Sequence, residues 1–138
     1  MTILIDTNVV LDVLLARAPF AGPAAALFSL VDDGHVHGLL GATTITTVFY
    51  LTARARGSRV ARRLVDDLLA MFAIAPVDQH VLRSALVLDA EDYEDAVLHE
   101  AGTNAGASVV VTRDETGFAS LDLPTFTPDE FLAWFSAP

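Results

Sequence analysis

Two short, unbroken apolar runs, Ile3-Leu4-Ile5 near the start of the chain and Val109-Val110-Val111 near its end, constrain the fold most. A strand with one wet face alternates apolar and polar residues. A run without polar interruption has to be covered on both faces, as in parallel sheets sandwiched between helices. Shorter apolar stretches at residues 36–40, 73–77 and 123–126 read as further strands, and stretches of helical period separate them. The pattern predicts an α/β fold, a three-layer sandwich with a mainly parallel central sheet of four to five strands flanked by helices. No repeat, low-complexity tract or linker divides the 138 residues, so residues 1–138 are expected to form a single domain.

Local signals mark the helix ends. Residues 9–16 read as a short helix and 19–34 as a second, closed by Gly34. A helix over about 43–55 gives way at Gly57-Ser58, with Ser58 a candidate N-cap for a helix carrying Val60, Leu64 and Leu68. Asp78 stands where it can cap the next helix, and a further helix is expected over 89–102. Thr127, Pro128 and Glu130 have the spacing of a capping box with proline at its first position.

Composition removes several kinds of chemistry. The net charge of −10 opposes passive adhesion to nucleic acid, which phosphate neutralisation drives, so any such role needs a local basic patch or a bound cation. All eight basic residues are Arg, which excludes catalytic lysines and with them the P-loop nucleotidases, and argues against a phosphoacceptor receiver. The absence of cysteine removes thiolate metal sites and fits a cytoplasmic chain. No apolar stretch approaches the roughly 18 residues a membrane span needs, and Asp6 follows too soon, without a basic region, for a signal peptide. The 53% hydrophobic content is therefore read as a face for self-association or for a partner.

The acids fall in a pattern. Asp6 directly follows the first apolar run, Asp114 follows the last by two residues, and Asp92 and Asp95 share one face at a helix start. If the two strands are parallel neighbours, all three groups converge at one sheet edge. Clustered carboxylates either take up protons or bind a cation, and an all-oxygen set suits Mg²⁺ or Mn²⁺. Taken singly, Asp6 reads equally as a helix cap, the acids at 92–95 as partners of a helix dipole, and Asp114 as a turn residue.

The stretches LIDTNVVLDVLL, DYEDAVLHEAGTNAGASVVVTRDETGF and PTFTPDEFL together resemble a PIN domain of the VapC-like toxin group, over nearly the whole chain. The resemblance implies a small nuclease whose acids hold one or two Mg²⁺ or Mn²⁺ ions, acting on RNA and often silenced by a cognate antitoxin protein. It implies that Asp6 is the first acid, Asn8 the polar residue that accompanies it, Asp95 the third acid with Asp92 as its neighbour, and Asp114 the fourth. The second acid, a Glu within a pattern like S-x-x-T-x-x-E, is replaced by Thr47 in GATTITTVFY, and a further acid found in some members is replaced by Gly117. The expected metal set is thus Asp6, Asp95, Asp114 and Asp92, with Asn8 and Thr47 orienting water.

Other features are weighed against this. Five of the eight arginines lie within 54–63, where Arg54, Arg56 and Arg59 could track RNA, and Arg62 and Arg63 could pair with Asp66 and Asp67. Asp12 and His99 are open, the former between solvent and the acidic pocket. Phe49, Tyr50, Phe131, Trp134 and Phe135 read as core or homodimer contacts. The leading expectation is a metal-dependent endoribonuclease, the toxin of a toxin–antitoxin pair. An alternative is a catalytically weakened PIN domain acting as an RNA-binding or protein-interaction module, which Thr47 keeps open. A haloacid-dehalogenase-type phosphohydrolase ranks lower, because Asn8 stands where its second Asp is required.

Overall fold

In the computed structural model, which describes residues 1–138, five strands form one wholly parallel sheet. They are β1 (Thr2–Ile5), β2 (His37–Gly41), β3 (Ala73–Ala75), β4 (Val109–Val111) and β5 (Thr125–Phe126), in spatial order β3-β2-β1-β4-β5. The helices are α1 (Thr7–Leu14), α2 (Ala21–Asp32), α3 (Ala42–Arg56), α4 (Ser58–Met71), α5 (Gln79–Leu86), α6 (Tyr93–Asn104) and α7 (Pro128–Phe135). A 3-10 turn, Glu115–Phe118, follows β4. No helix is long and apolar enough to cross a membrane.

The alternation of side chains along β1 builds the three layers. Ile3 and Ile5 pack with Val9 and Val10 of α1, Leu27 and Phe28 of α2, Val48 of α3 and Leu68 of α4 in the larger core cluster. Leu4, pointing the other way, packs with Leu98 of α6, Val110 and Phe118 in a second cluster. The apolar run at 3–5 is buried on both faces, as its composition demands. Gly102 lets α6 approach the sheet closely, since a Cβ there would lie 2.7 Å from Leu4 Cδ2.

Several helix ends form as the sequence predicts. Asp78 Oδ1 accepts from Val81 N at 2.9 Å, and Thr127 Oγ1 accepts from Glu130 N at 3.2 Å while donating to Glu130 Oε1 at 2.9 Å. Others differ. Ser58 is the first residue of α4 rather than its cap, because Gly57 takes the cap position with φ +89°, which favours glycine. The helix expected over 89–102 begins only at Tyr93, because Asp92 caps it by accepting from Glu94 N at 2.8 Å. The Arg62 and Arg63 pairs with Asp66 and Asp67 do not form; the ion pairs of the chain are Arg17–Asp12, Arg113–Asp12 and His99–Glu100. Arg62 instead lies over the Phe49 ring, 5.8 Å from its centroid.

Candidate functional site

β1 and β4 are parallel neighbours with Ile5 opposite Val111, so the residues after each strand emerge side by side at the carboxyl edge. The chain order reverses at this pair, β2 and β3 lying to one side and β4 and β5 to the other. In open parallel sheets such a switch point leaves a crevice where ligands bind.

Asp6 stands at that crevice and is 8% exposed. Its Oδ1 accepts from Thr7 N at 2.7 Å as the cap of α1, and its Oδ2 accepts from Thr112 Oγ1 at 2.8 Å. Asp6 is therefore a helix cap, with its second oxygen tied to the end of β4. Thr112 Oγ1 in turn accepts from Asp114 N at 3.1 Å and Asn8 Nδ2 at 3.3 Å, and Asn8 Oδ1 accepts from Arg113 N at 3.3 Å. Thr112 and Asn8 thus lock the ends of both strands together. The role of Thr112 was not evident in sequence, although its place at the end of a buried strand, two residues before Asp114, was a usable signal.

The other acids surround Asp6 from separate elements. Asp114 caps the 3-10 turn, accepting from Thr116 N at 3.2 Å and Thr116 Oγ1 at 2.6 Å. Asp92 caps α6, and Asp95 in its first turn lies against Gly117, where any Cβ would collide with the Asp95 carboxyl. Gly117 thus gives Asp95 its room. Burial, followed by the charges of Asp6, Asp92, Glu94 and Asp114, pushes the Asp95 carboxyl up to about 7. Burial also raises Asp6, against the hydrogen bonds from Thr112 and Thr7, with Asp114 and Asp92 adding to the rise. Glu94 is raised by burial and by Asp92 and Asp6. Acids from three elements therefore raise one another's affinity for a proton at this edge.

The donor chemistry fits a hard divalent cation: carboxylates, hydroxyls and an amide, with surplus negative charge that otherwise draws a proton onto Asp95. No three acidic or histidine side chains are already arranged to hold an ion, so the fit lies in charge and chemistry rather than in a preformed cage.

The remaining candidates have other surroundings. Thr47 Oγ1 donates to Thr43 O at 3.2 Å within α3. Asp12, 1% exposed, is neither in solvent nor among the acids: Arg113 Nε donates to its Oδ2 at 2.7 Å and Arg113 Nη2 to its Oδ1 at 3.2 Å. The same guanidinium covers the Phe20 ring at 4.1 Å from the centroid. His99, 3% exposed, accepts from Leu123 N at 3.1 Å through Nε2 and places Nδ1 2.9 Å from Glu100 Oε2. It anchors the segment after the 3-10 turn. Arg54, beside Tyr50, and Arg56, bonded to Leu14 O at 3.3 Å, lie at the end of α3 away from the sheet edge, about 20 Å along the helix from its start.

An all-parallel five-stranded sheet between helices, with acids gathered at its switch point, defines a small α/β domain with a candidate cation site. The PIN domain family model matches residues 2–116, and the chain belongs to that family. Among solved structures it is similar to VapBC2 from Rickettsia felis bound to a promoter DNA fragment, with TM-score 0.72 and 10% identity over 92% of this chain and 98% of that one. It is similar to Mycobacterium tuberculosis VapC20, a sarcin-ricin loop cleaving toxin, with TM-score 0.70 and 16% identity over 88% and 96%. FitAcB from Neisseria gonorrhoeae gives TM-score 0.68 and 21% identity over 91% and 97%. No curated protein sequence matches the chain.

Proposed function

We propose that the chain is a divalent-metal-dependent endoribonuclease, the toxin of a toxin–antitoxin pair. The observation that carries this reading is the parallel pairing of β1 with β4, which brings Asp6 and Asp114 to one sheet edge, joined through Thr112, with Asp95 of α6 against Gly117 of the turn that follows β4. Membership of the PIN family and similarity in fold to a toxin that cleaves the sarcin-ricin loop support RNA as the substrate. Similarity to toxin–antitoxin assemblies supports an antitoxin partner.

Asp6, Asp95 and Asp114 are assigned to hold one Mg²⁺ or Mn²⁺, with Asp92 beside them. The ion supplies neutralisation of the scissile phosphate and a water of lowered pKa for in-line attack. The chain's own part is positional. Thr112 and the Thr7 amide fix both oxygens of Asp6, Asn8 keeps the two strand ends in register, and Thr47, whose hydroxyl proton goes to Thr43 O, is assigned only to accept from water beside the site. Leu86 and Val87, at 69% and 84% exposure, offer apolar surface to an antitoxin or to a second copy in a homodimer.

Calorimetric titration of Mn²⁺ into the wild type and Asp6→Asn tests the assignment. Binding by the wild type and its loss in Asp6→Asn is expected; equal binding by both overturns it.

A further inference from the structure

Resting on that reading, we propose that the cleft between the starts of α2 and α7 is a nucleobase subsite for one single-stranded guanine of the RNA. Phe20 is its stacking surface, and Asp129 accepts from the Watson–Crick edge of the base. The cleft has a volume of about 280 Å³; Pro19, Phe20 and Pro23 line it from the α2 side, Pro128 and Asp129 from the α7 side, and Arg113 from the end of β4. It adjoins the acids. Arg113 stands between Thr112, which bonds Asp6, and Asp114, and its amide donates to Asn8 Oδ1 at 3.3 Å. Thr112 N donates to Phe126 O at 2.9 Å, which sets Thr127, a further lining residue, beside the end of β4. A strand held at the acids therefore has this cleft as the neighbouring place for a base.

The lining chemistry suits a base rather than a phosphate. Arg113 Nε and Nη2 donate to the buried Asp12 at 2.7 and 3.2 Å, so the guanidinium charge is already matched, and Asp129 adds a negative charge. A flat neutral ring meets no such penalty. The pair with Asp12 also fixes the guanidinium, which covers Phe20 at 4.1 Å from the ring centroid yet leaves that residue 40% exposed. Aromatic rings and guanidinium planes are the surfaces on which unpaired RNA bases stack. Thr127 spends its hydroxyl within the α7 cap, donating to Glu130 Oε1 and accepting from Glu130 N, which leaves the exposed Asp129 carboxylate as the free side-chain acceptor in the lining. Guanine matches this set, because its adjacent N1–H and N2–H donors fit the two oxygens of one carboxylate. Adenine presents an acceptor at N1 instead, and hypoxanthine lacks the N2 amino group.

NMR titration in chelator with the trinucleotides UGU, UAU and UIU, where I is inosine, reads binding without cleavage. Wild type, Asp129→Asn and Phe20→Leu are compared, each checked by melting. UGU is expected to bind the wild type about tenfold more tightly than UAU or UIU, with shifts at the Phe20, Arg113 and Thr127 amides. Asp129→Asn is expected to lose that preference, and Phe20→Leu to weaken all three about fivefold or more. Equal affinity of the three for wild type, a preference kept by Asp129→Asn, or unchanged affinity in Phe20→Leu overturns the subsite. No binding of any trinucleotide also overturns it and leaves the cleft to a protein partner. Metal-dependent RNA cleavage alongside any of these failures leaves the nuclease reading standing. A guanine preference with no cleavage under any metal removes the nuclease reading and keeps the subsite.

Discussion

Asn at position 95 should stabilise the metal-free protein above neutral pH relative to acid pH. The Asp95 carboxyl is raised from 3.8 to about 7, first by burial and then by Asp6, Asp92, Glu94 and Asp114. The folded chain therefore binds this proton more tightly than the unfolded chain. Stability is fully present below about pH 4, falls as pH rises towards 7, and stays lowered above it. Each pH unit inside that window carries about 1.4 kcal/mol, so the interval from pH 5 to 7 is worth about 2.7 kcal/mol if the carboxyl were fully enclosed. Because it is partly exposed, solvent screening reduces this to about 1–1.5 kcal/mol. Urea denaturation of wild type and Asp95→Asn in chelator, at pH 5 and pH 8, measures it. With an m-value of about 2 kcal/mol/M, the difference between the two midpoints should shift by about 0.5–0.75 M in favour of Asp95→Asn at the higher pH. A difference independent of pH would refute the convergence of the acids on Asp95. Saturating Mg²⁺ should reverse the trend in wild type alone, by about 2.7 kcal/mol at a hundredfold excess over the dissociation constant.

Arg113→Met should destabilise the fold by about 2 kcal/mol in urea, less than the 3–5 kcal/mol typical of a broken buried pair, because Arg17 remains 3.9 Å from Asp12 and Arg113 is 31% exposed. Combining it with Asp12→Leu should recover most of the loss, and a neutral single variant would show that the pair does not hold β4 to α1. Gly102→Ala should lower stability by about 1–3 kcal/mol because its Cβ meets Leu4, opposite in sign to the gain of up to about 1 kcal/mol expected in an exposed helix; a gain by denaturation would show that α6 can move away.

Where one local cause dominated, the sequence was legible. The uninterrupted runs at 3–5 and 109–111 implied a doubly covered parallel sheet, and the two strands are indeed neighbours that bring Asp6 and Asp114 to one edge. Asp78 and Thr127 were recognisable as caps because capping depends on neighbours in sequence. Asp12 was not legible, since its partner Arg113 lies 101 residues away and only the pairing of β1 with β4 brings them together. Pairing of Arg62 and Arg63 with Asp66 and Asp67 was sterically open but too weak to hold exposed side chains, and Phe49 offered Arg62 a better surface. Thr47 showed where a charge was missing, whereas only the fold brought Phe20, Arg113 and Asp129 to one cleft.

Cleavage of a labelled structured RNA by the purified chain tests the central claim most directly. Cleavage is expected with Mn²⁺ or Mg²⁺, abolished by chelator and by Asp6→Ala. Intact RNA with wild type under every metal condition, alongside cleavage by Thr47→Glu, would contradict it and identify a weakened PIN domain instead.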